Sequence, residues 1–273
     1  MKLEKLVLTP QETYDNVLAA YEKKANYPLK KTIILGFLSG IFLSLGSFAA
    51  AATSHSITNY GLSKLISGSI FPIGLILIIL CGTDLFTGNV LLTVPLLEKK
   101  ISLKTMAKNL MVVYLTNLLG AIIVTSLLIF SGAFDANSGA LGTYAIKVAA
   151  TKASIPFFKA LCSGILCNIF VCIAVWGSFI SRDVFGKMAI IWFPICAFII
   201  SGFEHSIANM YYFTAGLLSK ASGLYEFPVG KDITISGAIS NLIPVTIGNI
   251  IGGAIFVALM FYLVYGHKNS NDK

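Results

Sequence analysis

Six long apolar stretches constrain the fold of this chain more than any other feature. They occupy residues 32–53, 65–97, 107–131, 157–180, 187–218 and 235–265. Each is long enough to cross the hydrocarbon core of a bilayer, which takes about 20 residues of helix. Only 12% of the 273 residues are charged, about half the share that soluble domains carry. The sequence therefore predicts an all-α integral membrane protein with six transmembrane helices.

The second and fifth stretches are too long to be single helices, and each has a polar interruption near its middle. The interruptions read Gly82-Thr-Asp84 and Gly202-Phe-Glu204-His205. Non-helical backbone at membrane depth is tolerated only where it is buried in protein or lines a cavity. In each of these spans we therefore expect two half-helices joined by irregular backbone.

The same short motifs recur in both halves of the chain, in the same order. The matches are Gly82, Asp84 and Asn89 with Gly202, Glu204 and Asn209 at an offset of 120, Asn117 and Gly120 with Asn249 and Gly252 at 132, and Ser39-Gly40-Ile41 with Ser163-Gly164-Ile165 at 124. Three spans per half force the two halves into opposite orientations across the membrane. The pattern predicts a 3+3 inverted repeat, in which the two broken helices mark a transport site.

Basic residues set the orientation of the chain. Fourteen of the 20 Lys and Arg residues lie on the face that carries both termini, and such an excess marks the cytoplasmic side. We expect a multi-pass protein of a prokaryotic-type inner membrane with both termini cytoplasmic. Residues 1–30 are expected to form a cytoplasmic amphipathic helix along the membrane surface, as a gate or as an anchor, opened by a capping box at Thr9 and Glu12. Residues 31–266 then form the six-helix transmembrane channel domain, and residues 267–273 a cytoplasmic tail.

Four ionisable residues are candidates for the chemistry of the site. Half-helix N-termini bring positive dipole ends to the membrane midplane and favour an anion. Asp84 and Glu204 lie at the breaks, and we expect them to cap the freed backbone N–H groups. His205 is the only histidine inside a span, and its neutral imidazole can donate a hydrogen bond or a proton to a weak-acid anion. Lys152 precedes the fourth span in an outside loop, where a lysine can raise the local anion concentration.

Large apolar residues also flank the two breaks. They are Phe71, Leu75, Leu85, Phe86 and Phe198. We interpret them either as packing or as constrictions that exclude hydrated ions. Cysteine and histidine spacing offers no metal site, so neither a metal nor a cofactor is expected. An intramembrane enzyme with Glu204 and His205 as its acid/base pair would lack a nucleophile, so no catalytic residues are expected.

Three stretches of the chain resemble signatures of the formate/nitrite transporter family. They are Gly82-Thr-Asp-Leu-Phe-Thr-Gly-Asn89, Ser201-Gly-Phe-Glu-His-Ser-Ile-Ala-Asn-Met210 and Asn241-Leu-Ile-Pro-Val-Thr-Ile-Gly-Asn-Ile250. The resemblance extends from about residue 10 to the end of the chain. It implies an aquaporin-like protomer, assembled as a homopentamer with one anion pathway in each subunit.

The resemblance also implies roles for individual residues. His205 would be the central pore histidine, and Thr87 its partner on the opposite loop. Asn168 and Asn209 would be polar pore and loop residues, and Lys152 a buried lysine near the outer vestibule. The five large apolar residues named above would line two hydrophobic constrictions.

Taken together, these features predict a membrane channel or transporter for small monovalent anions of weak acids. Residues 82–89 and Thr151-Lys-Ala-Ser154 look most similar to the hydrosulfide channel branch of the family, so hydrosulfide and formate are the expected substrates. Nitrite or another short-chain acid anion is the alternative, and a neutral-solute pore is a further one. The expected partners are the anion, membrane lipids and further copies of the chain. Nucleic acid is not expected, because the basic residues lie at the ends of apolar runs.

Overall fold

The fold consists of helices and the short loops that join them. The computed structural model describes residues 6–226 and 232–266. Its helices, in chain order, are α1 (Pro10–Ala25), α2 (Leu29–Ser54), α3 (Tyr60–Ile70), α4 (Ile73–Leu80), α5 (Phe86–Asn89), α6 (Thr93–Leu97), α7 (Leu103–Phe130), α8 (Ala140–Ala153), α9 (Phe157–Ser178), α10 (Val184–Ser201), α11 (Ser206–Ser222), α12 (Ile235–Gly253) and α13 (Met260–Tyr265). A π-helical turn at Ala254–Leu259 joins the last two. The tail expected at 267–273 lies outside the described residues.

The number of membrane spans agrees with the sequence. Among the described residues, six helical segments are long and apolar enough to cross a bilayer: Leu29–Ser54, Tyr60–Leu80, Leu103–Phe130, Phe157–Ser178, Val184–Ser201 and Ile235–Tyr265. A shorter apolar segment, Phe86–Leu97, follows the second span, and α11 follows the fifth. The prediction of an all-α, six-span fold is confirmed.

Both predicted breaks are present, and each begins at a glycine in the left-handed region. Gly82 has φ of 67° and Gly202 has φ of 73°. A side chain at such a φ is strained, so glycine is the residue that ends a helix there at the lowest cost. Helix returns only at Phe86 and at Ser206. Each break thus leaves a half-helix whose N-terminus starts inside the bundle.

The inverted repeat can be located by residues that occupy equivalent positions. Tyr114 Oη and Thr246 Oγ1 are hydrogen bonded at 3.1 Å, and they are 132 residues apart, the same offset that relates Asn117 to Asn249. Equivalent residues that touch must lie on either side of the symmetry axis. The axis relating the two halves therefore passes between α7 and α12.

One of the sequence matches is out of register by a helical turn. The side-chain amide of Asn117 donates to Gly36 O at 2.7 Å, and that of Asn249 donates to Gly164 O at 2.8 Å. Because the two asparagines are equivalent, Gly36 corresponds to Gly164 at an offset of 128, whereas the Ser-Gly-Ile match paired Gly40 with Gly164. Gly36 and Gly40 both approach α7 closely, at Thr116 and Asn117, so one glycine was mistaken for the other, four residues away.

The N-terminal helix begins as expected but does not present its apolar face to the membrane. Its capping box at Thr9 and Glu12 is formed. However, Tyr14, Val17, Leu18 and Tyr21 are buried in the main hydrophobic core, so the apolar face packs on the protein rather than on lipid. These side chains pack against the chain itself because α6 and α13 offer them an apolar surface. The position of this helix along the membrane surface stays a prediction.

Lys152 lies on a helix, and the loop placement expected for it is wrong. It belongs to the last turn of α8, which corresponds to α1 at the offset of 128. The equivalent residue in α1 is therefore Lys24. Each half of the molecule thus consists of one short, partly polar helix followed by three spans, the second of which is broken.

Candidate functional site

A buried asparagine organises the first break. Asn117 Oδ1 accepts a hydrogen bond from the Phe86 N–H at 3.0 Å, and Asn117 Nδ2 donates to Asp84 O at 3.0 Å as well as to Gly36 O. The first N–H groups of a helix have no partner inside it. Asn117 therefore caps the half-helix and fixes the carbonyl of the irregular segment at the same time.

Asn249 performs the same function at the second break. Its Oδ1 accepts from the Ser206 N–H at 2.9 Å, and its Nδ2 donates to Glu204 O at 3.1 Å and to Gly164 O. Both asparagine side chains are fully buried. Two equivalent residues thus make the same three hydrogen bonds in the two halves of the chain.

The expectation that Asp84 and Glu204 cap the half-helices is therefore wrong. Each carboxylate forms an ion pair with a lysine instead, with Lys24 Nζ 2.8 Å from Asp84 Oδ1 and Lys152 Nζ 2.7 Å from Glu204 Oε1. Asp84 is fully buried and Glu204 nearly so. An unpaired carboxylate is too costly at such a position, so the acid is matched with a cation while a neutral amide serves as the cap.

A second asparagine pair ties each ion pair to the bundle. Asn209 Nδ2 donates to Glu204 Oε2 at 2.7 Å and to Asn241 Oδ1 at 2.8 Å. Asn241 Nδ2 in turn donates to Lys152 O at 2.8 Å. Asn209 is fully buried, and both N–H groups of its amide are used inside the protein, so it has none left to donate to an anion.

The equivalent residues of the first half repeat the link from the asparagine pair to the lysine. Asn89 Nδ2 donates to Asn109 Oδ1 at 3.0 Å, and Asn109 Nδ2 lies 3.5 Å from Lys24 O. The residues of the two networks correspond at offsets of 120, 132 and 128, but among the described residues no bond from Asn89 to Asp84 matches the bond from Asn209 to Glu204. They are the strongest structural expression of the inverted repeat.

His205 meets Thr87 where the two breaks come together. His205 Nε2 lies 2.9 Å from Thr87 Oγ1 although the residues are 118 positions apart. His205 Nδ1 is 3.0 Å from the Ala208 nitrogen and accepts its N–H. With Nδ1 occupied as an acceptor, the single proton of a neutral ring belongs on Nε2, which faces Thr87. The pairing of these two residues that the family resemblance implied is present in the structure.

Asn168 connects the two breaks from the fourth span. Its Nδ2 donates to Thr87 O at 3.2 Å and to Asn249 O at 2.6 Å. Since Thr87 belongs to the first break and Asn249 caps the second, Asn168 holds one relative to the other. The sequence placed Asn168 among the polar pore residues, and the structure shows it bonded to backbone carbonyls beside His205 and Thr87.

Two of the large apolar residues form a cluster of rings around His205. The Phe71 and Phe198 rings are edge-on with centroids 5.6 Å apart, and the Phe198 ring stacks on the imidazole at 6.0 Å. Leu75 and Leu85 are buried in the same hydrophobic core. The imidazole is therefore held between an apolar wall and the Thr87 hydroxyl.

Phe86 occupies a different environment from the other four apolar residues. Its ring packs edge-on against Tyr114 at 4.9 Å. It also lines an apolar groove of about 640 Å³ between α7 and α12 that does not include His205. A constriction formed by Phe86 and Leu85 stays a prediction.

A cavity of about 550 Å³ leads to His205 from the side where α8 and the second break lie. Its lining includes the cations Lys64, Lys147 and Lys152, together with Glu204 and His205. Cations outnumber carboxylates in this lining by three to one. We refer to this cavity as the outer vestibule.

Comparison with known proteins agrees with this geometry. The model of the family described as "Formate/nitrite transporter" matches residues 11–263. The chain belongs to the formate/nitrite transporter family. It is also similar to the formate channel FocA of Escherichia coli (strain K12), with 38% identity over 264 residues that cover 93% of this chain and 92% of the relative. The six spans and the family together make it a multi-pass membrane protein of a transporter family.

Solved structures place this member of the formate/nitrite transporter family in a known fold. The structure of a "Pentameric formate channel with formate bound" superposes with a TM-score of 0.79 at 34% identity, covering 87% of this chain and 97% of that one. An aquaglyceroporin from Plasmodium falciparum superposes with a TM-score of 0.54 at 18% identity, covering 90% of this chain and 100% of that one. The second likeness concerns the fold alone. It confirms the predicted aquaporin-like architecture.

Several residues of this transporter site were not recognised from the sequence. Lys24 and Lys64 were counted only as charges that orient the chain, and Asn117 and Asn249 only as marks of the repeat. The signal that was available is the repeat itself. With the offset of 128, which the bonds of Asn117 and Asn249 supply, the ion pair of Lys152 predicts the ion pair of Lys24.

Proposed function

We propose that this protein conducts small monovalent anions of weak acids across the membrane, with formate as its principal substrate. Its similarity to a formate channel of Escherichia coli and to a channel structure with formate bound supports formate. The observation that carries the proposal is the His205–Thr87 pair at 2.9 Å, placed where both breaks meet. A neutral hydrogen-bond donor at this depth gives a dehydrated anion a hydrogen bond without trapping it by a full charge.

The orientation of the imidazole determines what His205 offers to the anion. Because Nδ1 accepts the Ala208 N–H, a second proton on Nδ1 would point at another hydrogen. The neutral ring therefore keeps its one N–H on Nε2. A passing carboxylate competes with Thr87 Oγ1 for the hydrogen bond from the Nε2–H group. The bond to Thr87 forms again when the anion leaves. The apolar Phe198 on the other face of the ring excludes water, which makes this hydrogen bond stronger.

Assembly and location are part of the proposal. We propose a homopentamer with one pathway in each subunit, supported by the likeness to a pentameric formate channel. The large apolar side chains exposed on the single chain, among them Phe130, Phe185 and Phe193, require lipid or neighbouring subunits as a cover. The excess of basic residues on the face of the termini supports cytoplasmic termini in a prokaryotic-type inner membrane.

Hydrosulfide is the second substrate that we propose. It is supported by the likeness of residues 82–89 and 151–154 to the hydrosulfide branch, and it has the same charge and a smaller size than formate. Both anions can accept one hydrogen bond from the Nε2–H group of His205. Nitrite stays an alternative on the same physical grounds.

The test is anion uptake into proteoliposomes by the parent and by His205→Phe. We expect the substitution to lower formate uptake about tenfold or more, since a hydrogen bond to a charged group contributes about 1.5–3 kcal/mol. The matched control is His55→Phe, because His55 lines the same vestibule without touching Thr87. Uptake of glycerol by the parent at the rate of formate would show a neutral-solute pore, and uptake of formate no faster than by empty liposomes would refute the proposal.

A further inference from the structure

The outer vestibule contains three lysines, and they differ in how far their charge is neutralised. Lys152 forms the 2.7 Å ion pair with Glu204, and its ammonium also lies over the Tyr212 ring at 5.2 Å from the centroid. A cation matched with one carboxylate contributes little net field to its surroundings. Lys152 therefore holds the second break in place, and its pair with Glu204 adds no net charge to the vestibule.

Lys147 and Lys64 provide the remaining charge, at different depths. Lys147 is exposed on α8, where solvent and salt screen it. Lys64 is half-buried on α3, and among the described residues no carboxylate lies within ion-pair distance of it. The Tyr60 ring lies beside it, with the centroid 5.8 Å from the ammonium. Lys64 is thus the deeper of the two cations that form no ion pair, and its charge interacts with those of Lys152 and Glu204 only at longer range.

The position of the Lys64 ammonium is defined by the break itself. A Cβ at Gly202 would lie 3.4 Å from Lys64 Nζ, so the ammonium rests on the face of the glycine that opens the second break. Gly202 is the C-cap of α10, and the partial negative charge of a helix C-terminus attracts a cation. This attraction keeps the ammonium in place without cancelling its charge.

We propose that Lys64, held against the side-chain-free face of Gly202, forms an outer binding site for a small monovalent carboxylate such as formate, ahead of the His205 pair. This inference rests on the proposed anion transport. The site concentrates the anion at the mouth, because a cation in a cleft with low-dielectric walls raises the local concentration of its counter-ion. The charge of Lys64 then determines the formate concentration at which uptake is half-maximal.

Initial formate uptake is measured in proteoliposomes over a range of formate concentrations, at low salt and at high salt with an impermeant anion such as gluconate. We expect Lys64→Met to raise the half-saturating concentration roughly tenfold at low salt and to change the maximal rate little. High salt should reduce this difference, because it screens the charge. Lys64→Arg should restore the parent's curve, and Lys147→Met, which removes the same charge from the rim, should shift it far less.

A second measurement does not depend on transport. The detergent-solubilised parent is treated with an amine-acylating reagent, and modification of Lys64 and Lys147 is followed by mass spectrometry with and without formate. We expect formate to slow the acylation of Lys64 more than that of Lys147. Equal protection of both lysines, or a Lys64→Met curve that coincides with the parent's, would overturn the site. A parent that moves no formate although Lys64 is protected would instead refute the proposed function alone.

Discussion

The two breaks have the same supports and different chemistry. In both, an asparagine caps the half-helix, a lysine pairs with a buried acid, and a second asparagine pair links the lysine to the break. The two residues that meet between the breaks, His205 and Thr87, are not equivalent in this way. The position that corresponds to His205 at the offset of 120 is Leu85, and the one that corresponds to Thr87 is Ile207. The repeat therefore builds the scaffold, and departures from the repeat supply the hydrogen-bonding pair.

Access to the two breaks also differs. The second break opens into the vestibule of about 550 Å³. The first is covered by α1, whose Tyr21 hydroxyl donates to Gly88 O at 2.9 Å. The residue of α8 that corresponds to Tyr21 is Ala149, which has no such reach. One large side chain thus distinguishes a covered break from an open one.

Removal of the paired lysine at either break should have the largest effect on the free energy of unfolding. The size of this effect should differ between the two breaks. Lys24→Met and Lys152→Met each leave a buried carboxylate without its cation, at a cost of about 3–5 kcal/mol. We expect Lys24→Met to lower the free energy of unfolding more than Lys152→Met does. Asp84 is fully buried, and among the described residues its carboxylate oxygens have no hydrogen-bond donor besides the Lys24 ammonium, whereas Glu204 keeps Asn209. The measurement is the free energy of unfolding in mixed micelles by detergent titration.

The control for this prediction neutralises both partners. Lys24→Met combined with Asp84→Asn should recover most of the lost stability, because the uncompensated charge is gone. If the single variants were as stable as the parent to within about 0.5 kcal/mol, the ion pairs would be incidental to the fold. Equal losses at the two breaks would show that Asn209 does not support Glu204.

Removal of each capping asparagine should have a smaller effect, and the same one in both halves. Asn117→Ala and Asn249→Ala each leave a helix N–H and two carbonyls without their partner, and we expect a loss of about 2–3 kcal/mol from each. The same detergent titration measures both. The control is Ser126→Ala, since that hydroxyl bonds only Ile122 O, in its own helix, among the described residues. A difference of more than about 1 kcal/mol between the two alanine variants would contradict the equivalence of the two scaffolds.

Sequence reasoning predicted what depends on local pattern and missed what depends on pairing across the chain. Spans follow from apolar length, and both breaks follow from glycine next to an acid inside such a span. The cap was assigned to Asp84 because the acid is adjacent in sequence, while Asn117 reaches the Phe86 N–H from 31 residues away. Lys24 was missed as the partner of Asp84 because its helix was expected to lie on the membrane surface.

Other gaps have the same origin. The register between the first and fourth spans was misjudged by one turn, because glycines four residues apart look alike in sequence, and only the bonds from Asn117 and Asn249 distinguish them. Lys64 was not recognised because nothing in its neighbourhood relates it to Gly202, which is 138 residues later in the chain. The family resemblance, by contrast, identified His205 and Thr87, whose contact no local pattern could indicate.

The smallest expected effect concerns the cover over the first break. Tyr21→Phe keeps the ring in the core but removes the bond to Gly88 O, and one such hydrogen bond contributes about 0.5–1.5 kcal/mol. Because that carbonyl lies in α5, the loss should appear as local opening of the first break. A change of about 1 kcal/mol corresponds to a roughly fivefold change in an opening equilibrium. We therefore expect amide hydrogen exchange around residues 88–90 to accelerate about fivefold, while exchange around residues 208–210 at the second break stays as in the parent.

Tyr27→Phe is the matched control, since the Tyr27 ring lies under the Lys31 ammonium, with Nζ 3.7 Å from the ring centroid, and does not contact the break. Unchanged exchange at 88–90, or equal acceleration at both breaks, would show that Tyr21 does not stabilise the first break and that the two ends differ only in the shape of their cavities.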